Sequence, residues 1–579
     1  MNKIFTMYLL KNRFILLCLF VSLSVCNTLA QKLVNEFTYL TPVDLPVSIS
    51  AGFAELRPNH FHGGIDYRTQ GTEGKNIYAV ADGYVCKIQV SGYGYGNLLF
   101  ISHRNGIIST YGHLKAFAPP IAEYVRAKQY EQHTFDIVLI PEQEQFKVKK
   151  GQVIAFSGNT GASHGVHLHF ELHDSITNDY INPFLYNHDV ADNIPPKIFG
   201  LFVYSGKNRS KVAITGKNGK YVLTGKKAID VSGKTGFGLI ANDMTTNSKS
   251  LIGIYDVQLF VDNELIYESR FDRLGVDQNR NINSHIDFLF GLKWNKGIQK
   301  TCVAPNNKLL AYRNIINNGF YDFNDNEIHQ VKYLVSDVAG NVTTLEFNAK
   351  SKQPESKKLY RNYVVENKNN FAYNRENYFI RPDIRIIFPV DCFFDSIDFR
   401  YSKADFTVKQ KTFSDIHCVH TEAVPIAKRY TLSIDGSNVP EHLRSKALIA
   451  KVTGKTGLIS EGGVWINNFI TANPNTFGCF VITVDTIPPT IKPVSLSAGK
   501  KSKGSAYLAF KIYDYLSGIK SFDGYVDGKW ILFEYDPKNN LIYHRVNALD
   551  SISSGKHHLV LKVADWKDNV SEFECDFQN

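Results

Sequence analysis

A chain of 579 residues with 44% hydrophobic and 13% aromatic composition is too long for one core, and about three to five domains are expected. Its 31 Tyr and 39 Phe against 3 Met favour β-structure. The net charge of +10 is spread along the chain without a Lys/Arg-rich block, which argues against a nucleic-acid partner and suits a polyanionic surface.

In chain order, Lys3, Lys11 and Arg13 precede an apolar run from Phe14 to Val25, and Thr28-Leu29-Ala30 offers small residues at the two positions a signal peptidase reads. The pattern predicts a secretory signal peptide over 1–30, cut before Gln31. The run is too short for a comfortable membrane span, and no later stretch reads as a transmembrane helix, so an exported, soluble mature chain is expected. Cys26 offers a lipoprotein alternative, disfavoured by Val25 where a small residue is wanted. After the cut there remain Cys86, Cys302, Cys392, Cys418, Cys479 and Cys575, none in C-x-x-C spacing, which argues against a zinc ribbon. Export permits disulfides. Cys392, Cys418 and Cys479 fall in one candidate domain and can pair in part, with buried free thiols as the alternative.

A lead-in with Pro42 and Pro46 ends at Arg57-Pro58-Asn59-His60-Phe61-His62-Gly63-Gly64-Ile65-Asp66-Tyr67. Pro58 and the two glycines argue against a helix. On a strand–loop–strand passage His62 and Asp66 can meet, and imidazole plus carboxylate suits a borderline metal such as zinc. A turn with an incidental His and Asp is the alternative, and His60 is expected behind the site or at the surface. Ile77–Ala81 and Tyr84–Val90 read as strands joined by an Asp82-Gly83 hairpin turn. The turns Gly92–Asn97 and Asn105-Gly106 lead into Leu98–Ser102 and Ile107–His113, giving an antiparallel meander. Asp82 and Asn105 read as turn formers, His103 as structural, and His113 stands at a strand end. Pro119-Pro120 opens a short helical insertion running to about Gln145, with Ile121, Tyr124 and Val125 at helical spacing. Lys149–Gln152 is a turn before the strand Val153–Phe156, and the loop Gly158-Asn159-Thr160-Gly161 delivers the chain to Gly165–Leu172. There the alternation of a strand puts His167 and His169 on one face and Leu168 and Phe170 in a core. Two such imidazoles can both bind a metal, or one can bind it while the other moves protons. Alone, the pair is weak evidence, since solvated strand faces carry such pairs by chance.

Together, His62-x-x-x-Asp66, Tyr111-x-His113-Leu114, Gly158-x-Thr160-Gly161 and His167-x-His169-Phe170-Glu171 resemble the lysostaphin/LytM-type zinc metallopeptidases. The order, the separations and the intervening Ala81-Asp82-Gly83 and Lys150-Gly151 turns match over residues 50–185. The resemblance implies one Zn2+ per chain with His62, Asp66 and His169 as ligands, and His113 and His167 as catalytic imidazoles. Three protein ligands leave a fourth position for water, the form of a hydrolytic zinc site. One catalytic imidazole would take a proton from that water, and the other would stabilise the oxyanion or protonate the leaving amine. Glu171, on the same strand face, is expected to orient an imidazole from behind. The chain departs from the family at Ser163-His164-Gly165-Val166, where small residues followed by Pro are usual. No ligand is lost there, so specificity is affected more than activity, and His164 reads as an exposed turn residue. Family members mostly cut peptide cross-links of bacterial peptidoglycan. The implied function is an exported zinc endopeptidase of the wall, periplasmic or associated with the cell envelope and possibly extracellular. A non-catalytic wall-binding or hydrolase-regulating scaffold on the same fold is the alternative, and an endopeptidase for exported proteins a third.

Beyond the peptidase region, taken as 31–191, Asp192-Asn193-Ile194-Pro195-Pro196-Lys197-Ile198 returns as Asp485-Thr486-Ile487-Pro488-Pro489-Thr490-Ile491. Val335-Ser336-Asp337-Val338-Ala339-Gly340-Asn341 echoes Val563-Ala564-Asp565-Trp566-Lys567-Asp568-Asn569. Two copies of one module are therefore expected at 192–350 and 485–579, the first with an insertion around Asn279–Phe320. Short strands with Gly/Asn/Asp turns suggest immunoglobulin-like β-sandwiches. Residues 351–375 read as a linker and 376–484 as a divergent third sandwich. Asp337 and Asp565 read as turn residues in preference to calcium ligands. The expected fold is thus mainly β: an antiparallel peptidase domain with a short helical insertion, then two or three sandwiches. These modules hold no catalytic constellation, and wall tethering, substrate presentation or partner binding is expected of them by analogy.

Overall fold

The computed structural model describes residues 39–578 apart from 187–188, 207, 295–296, 354–369, 455, 495–506, 546–551 and 553–554. The expected signal peptide and most of the expected linker lie outside the described residues. The fold is mainly β and antiparallel, as its Tyr, Phe, Val and Ile content predicts.

The N-terminal domain is built on one large sheet. Its strands are β1 (Ile49–Ala51), β2 (Ile65–Arg68), β3 (Gly83–Val90), β4 (Asn97–Ser102), β5 (Ile107–Leu114), β6 (Ile137–Leu139) and β7 (His167–Asp174), in the order β1-β2-β7-β5-β4-β3-β6. The consecutive antiparallel strands β3, β4 and β5 are the expected meander. One face is apolar: Ile65 and Tyr67 of β2, Tyr111 of β5, and Leu168, Phe170 and Leu172 of β7 are fully buried. Period-two alternation then turns Asp66, His167, His169 and Glu171 to the other face. The helix α1 (Pro119–Gln132) starts on its two prolines, buries Ile121 and Val125, and ends at a left-handed His133. The insertion is not only helical, because β6 returns to pair with β3.

The structure corrects the Asp82-Gly83 hairpin. Asn76–Tyr78 pairs with Val153–Phe156, itself paired with Ala116–Phe117, in a separate three-stranded sheet. The Asp82-Gly83 segment therefore carries the chain from one sheet to another. Asp82 anchors it by accepting from Lys150 N at 2.8 Å and Lys149 Nζ at 3.0 Å. Ile77, fully buried, finds its partner strand nearly eighty residues later.

Three further units follow, each with two sheets about a shared core. The first centres on Leu201, Phe237, Leu259, Tyr333 and Leu345; the second on Phe388, Phe399, Tyr430, Phe477 and Ile482; the last on Phe510, Ile542, Leu559, Leu561 and Val563. Asn370–Phe371, inside the expected linker, already pairs with Ile397–Asp398. Cys418 and Cys479 stand opposite on neighbouring strands and form a disulfide, while Cys392 is a buried thiol.

The first sandwich is fused to the large N-terminal sheet. Tyr180–Ile181 pairs both with β7 and with Arg273–Leu274 of the sandwich. Phe271 and, from the insertion with its helix Ile282–His285, Ile282 and Ile286 pack against Phe53 and Phe61 of the N-terminal domain. This places an apolar clasp directly behind His62.

Candidate metal centre

The centre forms where three strands and one turn meet. Asp66 of β2 stands directly opposite His169 of β7, and His169 opposite Gly112 of β5. A Cβ on Gly112 would stand in ordinary contact with His169, 3.5 Å from its Cβ, so the strands run close at this pair. The Gly63-Gly64 turn brings His62 over the same face. A Cβ on Gly64 would fall 2.1 Å from the Phe170 carbonyl oxygen, so only glycine passes there.

His62, Asp66 and His169 are all buried. His62 Nε2 lies 3.0 Å from both Asp66 Oδ1 and His169 Nδ1, and His169 Nδ1 lies 2.8 Å from Asp66 Oδ1. The far side of each ring is tied. His62 Nδ1 donates to the Gly52 carbonyl at 2.7 Å, and His169 Nε2 to Glu171 Oε1 at 2.8 Å. Those bonds fix the tautomers and leave one lone pair on each ring facing the shared point. Two imidazole nitrogens and a carboxylate oxygen, each held from behind, fit zinc. Arg57 Nη2 donates to the other Asp66 oxygen at 3.1 Å.

The two remaining imidazoles flank this group and are tied in the same way. His113 Nδ1 donates to the Thr160 carbonyl at 2.8 Å, and His167 Nδ1 to the Gly165 carbonyl at 2.8 Å. His167 Nε2 lies 3.5 Å from Asp66 Oδ1. The His113 ring is 4.9 Å from His167 and 5.8 Å from His169. His113 reaches this face through an irregularity. Regular alternation would put it with Tyr111 in the core, but the β4–β5 register shifts between Asn97 and Leu99, and His113 adopts φ +59°. A left-handed residue that is not glycine marks stored strain, and the bulge re-aims the side chain.

Burial is the main influence on the flanking rings. It pushes His113 down to about 3, with the charges of His169 and His167 adding to the effect. It also lowers His167. Both are therefore neutral near pH 7, with Nδ1 protonated and Nε2 able to accept. Burial opposes ionisation of Asp66, but His62 and His169 outweigh it and hold the carboxyl well below its usual range.

All five predicted site residues meet here, and Glu171 stands behind His169 as expected. His60 is exposed. His103 is buried away from the centre, bonded to Asp82 O and Ser109 Oγ, and His164 is exposed. Sequence patterning does not single out Tyr95, Arg57 or His173. Tyr95 OH donates to Glu171 Oε1, and His173 Nε2 donates to Glu171 Oε2, both at 2.8 Å. Only His173 carried a signal, since it continues the alternation of His167, His169 and Glu171.

Two family models match the chain, one described as Peptidase family M23 over residues 60–130 and one as Zu5-like domain over 368–485. The DD-carboxypeptidase/endopeptidase Mpg of Neisseria meningitidis is 35% identical over 122 residues, which is 21% of this chain and 22% of that protein. The chain thus spans about a fifth of that relative's length. Lipoprotein NlpD of Yersinia enterocolitica is 36% identical over 102 residues, covering 18% of this chain and 80% of the relative. Murein hydrolase activator NlpD of Escherichia coli is 35% identical over 102 residues, covering 18% of this chain and 21% of the relative.

Proposed function

The chain belongs to peptidase family M23, and on that premise we propose that it is an exported zinc-dependent endopeptidase hydrolysing peptide cross-links of bacterial peptidoglycan. The observation that carries the reading is the set of four imidazoles each tied at one nitrogen, three of which lie with the other nitrogen within 3.5 Å of Asp66 Oδ1 or beside it. Zinc held by His62 Nε2, Asp66 Oδ1 and His169 Nδ1 would supply Lewis-acid activation of water and of the scissile carbonyl. Neutral His113 or His167 accepts a proton at Nε2 and returns it to the leaving amine, and the other stabilises charge developing on the carbonyl oxygen. The Thr160 and Gly165 carbonyls keep Nδ1 protonated throughout and stabilise the transient imidazolium. A wall substrate is supported by relatives whose names carry DD-carboxypeptidase and murein.

The name of the Escherichia coli relative, a hydrolase activator, gives the second reading: a non-catalytic regulator of wall hydrolases. The complete His62–Asp66–His169 group, with both flanking imidazoles in place, favours catalysis. Mass spectrometry of purified peptidoglycan treated with zinc-loaded protein separates the two. Catalysis predicts loss of cross-linked muropeptides and new stem-peptide ends. His169→Ala should abolish zinc binding, whereas His167→Ala should keep about one zinc per chain and lose turnover. Unchanged muropeptides, with acceleration of a wall hydrolase added alongside, would establish the regulator. Digestion of exported proteins in parallel tests whether the wall is the substrate at all.

A further inference from the structure

Three carboxylates meet where the peptidase domain passes into the first sandwich. Asp192 precedes the strand Lys197–Ser205, Asp243 follows the strand Gly233–Asn242, and Asp337 lies in the turn before Val342–Ser351. One ligand oxygen of each lies within 4.8 Å of the others. Asp243 is 3% exposed, and its Oδ1 is buried without a hydrogen-bond partner among the described residues. An unpaired buried carboxylate oxygen is unfavourable, and two neighbouring carboxyls make it more so. The remaining bonds fix the frame without answering that oxygen. Asn341 donates from N and Nδ2 to the two Asp337 oxygens at 2.9 and 2.8 Å, and Ile194 N donates to Asp192 Oδ1 at 3.0 Å. The triad opens on a cleft of about 450 Å³, with Asn182, Thr245 and Tyr255 in its wall, which leaves room for water ligands.

The second module copy repeats the arrangement with one difference. Asp485, Asp514 and Asp565 also lie within 4.8 Å of one another, and Asn569 bonds both Asp565 oxygens at 2.9 and 2.7 Å, as Asn341 does for Asp337. Here the protein supplies its own donors. Ser517 N donates to Asp485 Oδ2 at 2.9 Å, and Leu516 N and Gly518 N donate to Asp514 Oδ1 at 3.0 and 2.6 Å. The Lys567 ammonium interacts with Asp485 and Asp565. At the first triad the charged groups acting on these carboxyls are themselves carboxylates, Asp337 on both and Asp192 on Asp243, with the Ile194 and Met244 amides as the backbone donors.

We propose that Asp192, Asp243 and Asp337 bind a hard divalent cation of the calcium class at this junction, and that the second triad, whose oxygens the chain supplies with further donors, does not. An all-oxygen donor set suits calcium and not zinc. The cation would tie the segment leaving the peptidase to two strands of the sandwich. Phe53, two residues from the hydrogen bond between Glu55 and His62, also lines the cleft, so the seam stiffened is the one behind His62.

Equilibrium dialysis of the full zinc-loaded chain against calcium ions tests this. One calcium per chain is expected, with a dissociation constant on the order of 10⁻⁴ M, as for extracellular modules. Asp243→Asn should weaken it by about tenfold or more, and Asp514→Asn should leave it unchanged. Terbium ions, with luminescence sensitised through Tyr255, should report the same loss in Asp243→Asn. Retained zinc shows that a variant is folded, and Asp192→Asn replaces Asp243→Asn if the latter does not fold. The proposal is overturned if the unaltered chain binds no calcium, if Asp243→Asn and Asp192→Asn bind it as before, or if Asp514→Asn is the variant that loses it.

Discussion

Glu171 is the buried carboxylate on which three side chains of the centre depend. It accepts from His169, His173 and Tyr95. Burial works against its ionisation, but the charges and hydrogen bonds of His169 and His173 outweigh burial and hold the carboxyl far below its usual range. An ionised Glu171 keeps the His169 proton on Nε2 and so keeps the Nδ1 lone pair directed at the metal position. Glu171→Gln preserves the volume but offers that nitrogen an amide that can donate as readily as accept. Zinc affinity, measured by competition with a chromophoric chelator, should fall about 10- to 100-fold. An unchanged affinity would mean that packing alone orients His169. The same reasoning separates Arg57, which touches only the outer oxygen of Asp66 at 3.1 Å. The Arg57 side chain is 31% exposed, so Arg57→Ala should weaken zinc binding less than Glu171→Gln does.

Among the elements, β7 was legible because everything needed lies within one strand: period two separates Leu168 and Phe170 from His167, His169 and Glu171. Asp66 and His62 are legible as a pair because only a Gly-Gly turn and four positions separate them. The aim of His113 was not, since strict alternation on β5 would bury it beside Tyr111, and the bulge that redirects it depends on the register against β4. Tyr95 sits in a glycine-rich turn with no periodicity to place it, and β6 has three residues, too few to show a pattern. The clasp behind His62 joins residues more than two hundred positions apart, beyond any local signal. That clasp carries a test of its own. His285 is fully buried, with its ring 5.8 Å from Phe61 and from Phe271 and a 3.1 Å hydrogen bond to Tyr312 OH. Burial pushes it down to about 3 from an ordinary 6.5. Between those values the unfolded chain binds the proton that the folded chain excludes. The stabilisation from neutral His285 is therefore full above 6.5 and is lost progressively as pH falls toward 3. Thermal melts across this window should show a falling Tm, and His285→Gln, which does not titrate, should make the fall shallower.

Across the whole molecule, the last sandwich folds back onto the loop that holds His113. Lys538 Nζ donates to the Asn159 carbonyl and, at 3.3 Å, to that of Gly161, on either side of Thr160. Trp530 stacks on His133 at 5.0 Å and meets Tyr130 edge-on at 5.4 Å, and Tyr535 packs against Tyr93 at 5.8 Å. The Thr160 carbonyl that fixes His113 Nδ1 thus stands in a loop clamped from a module more than three hundred residues away. A clamp on the loop and a cover over the groove make opposite predictions. If the clamp orients His113, Lys538→Ala and Trp530→Ala should retain zinc, exchange the Asn159–Gly161 amides faster with solvent deuterium, and lower kcat on cross-linked muropeptides by about tenfold, since small misplacements of a catalytic group are costly. If the module covers the groove, the same variants should raise kcat. The geometry favours the clamp, because the contacts are to carbonyls beside Thr160 and to the end of α1, and among the described residues no hydrogen bond or ring contact joins Lys538, Trp530 or Tyr535 to His62, Asp66 or His169. Deuterium exchange reads the loop directly and so decides whether Lys538 restrains it even for a substrate other than peptidoglycan.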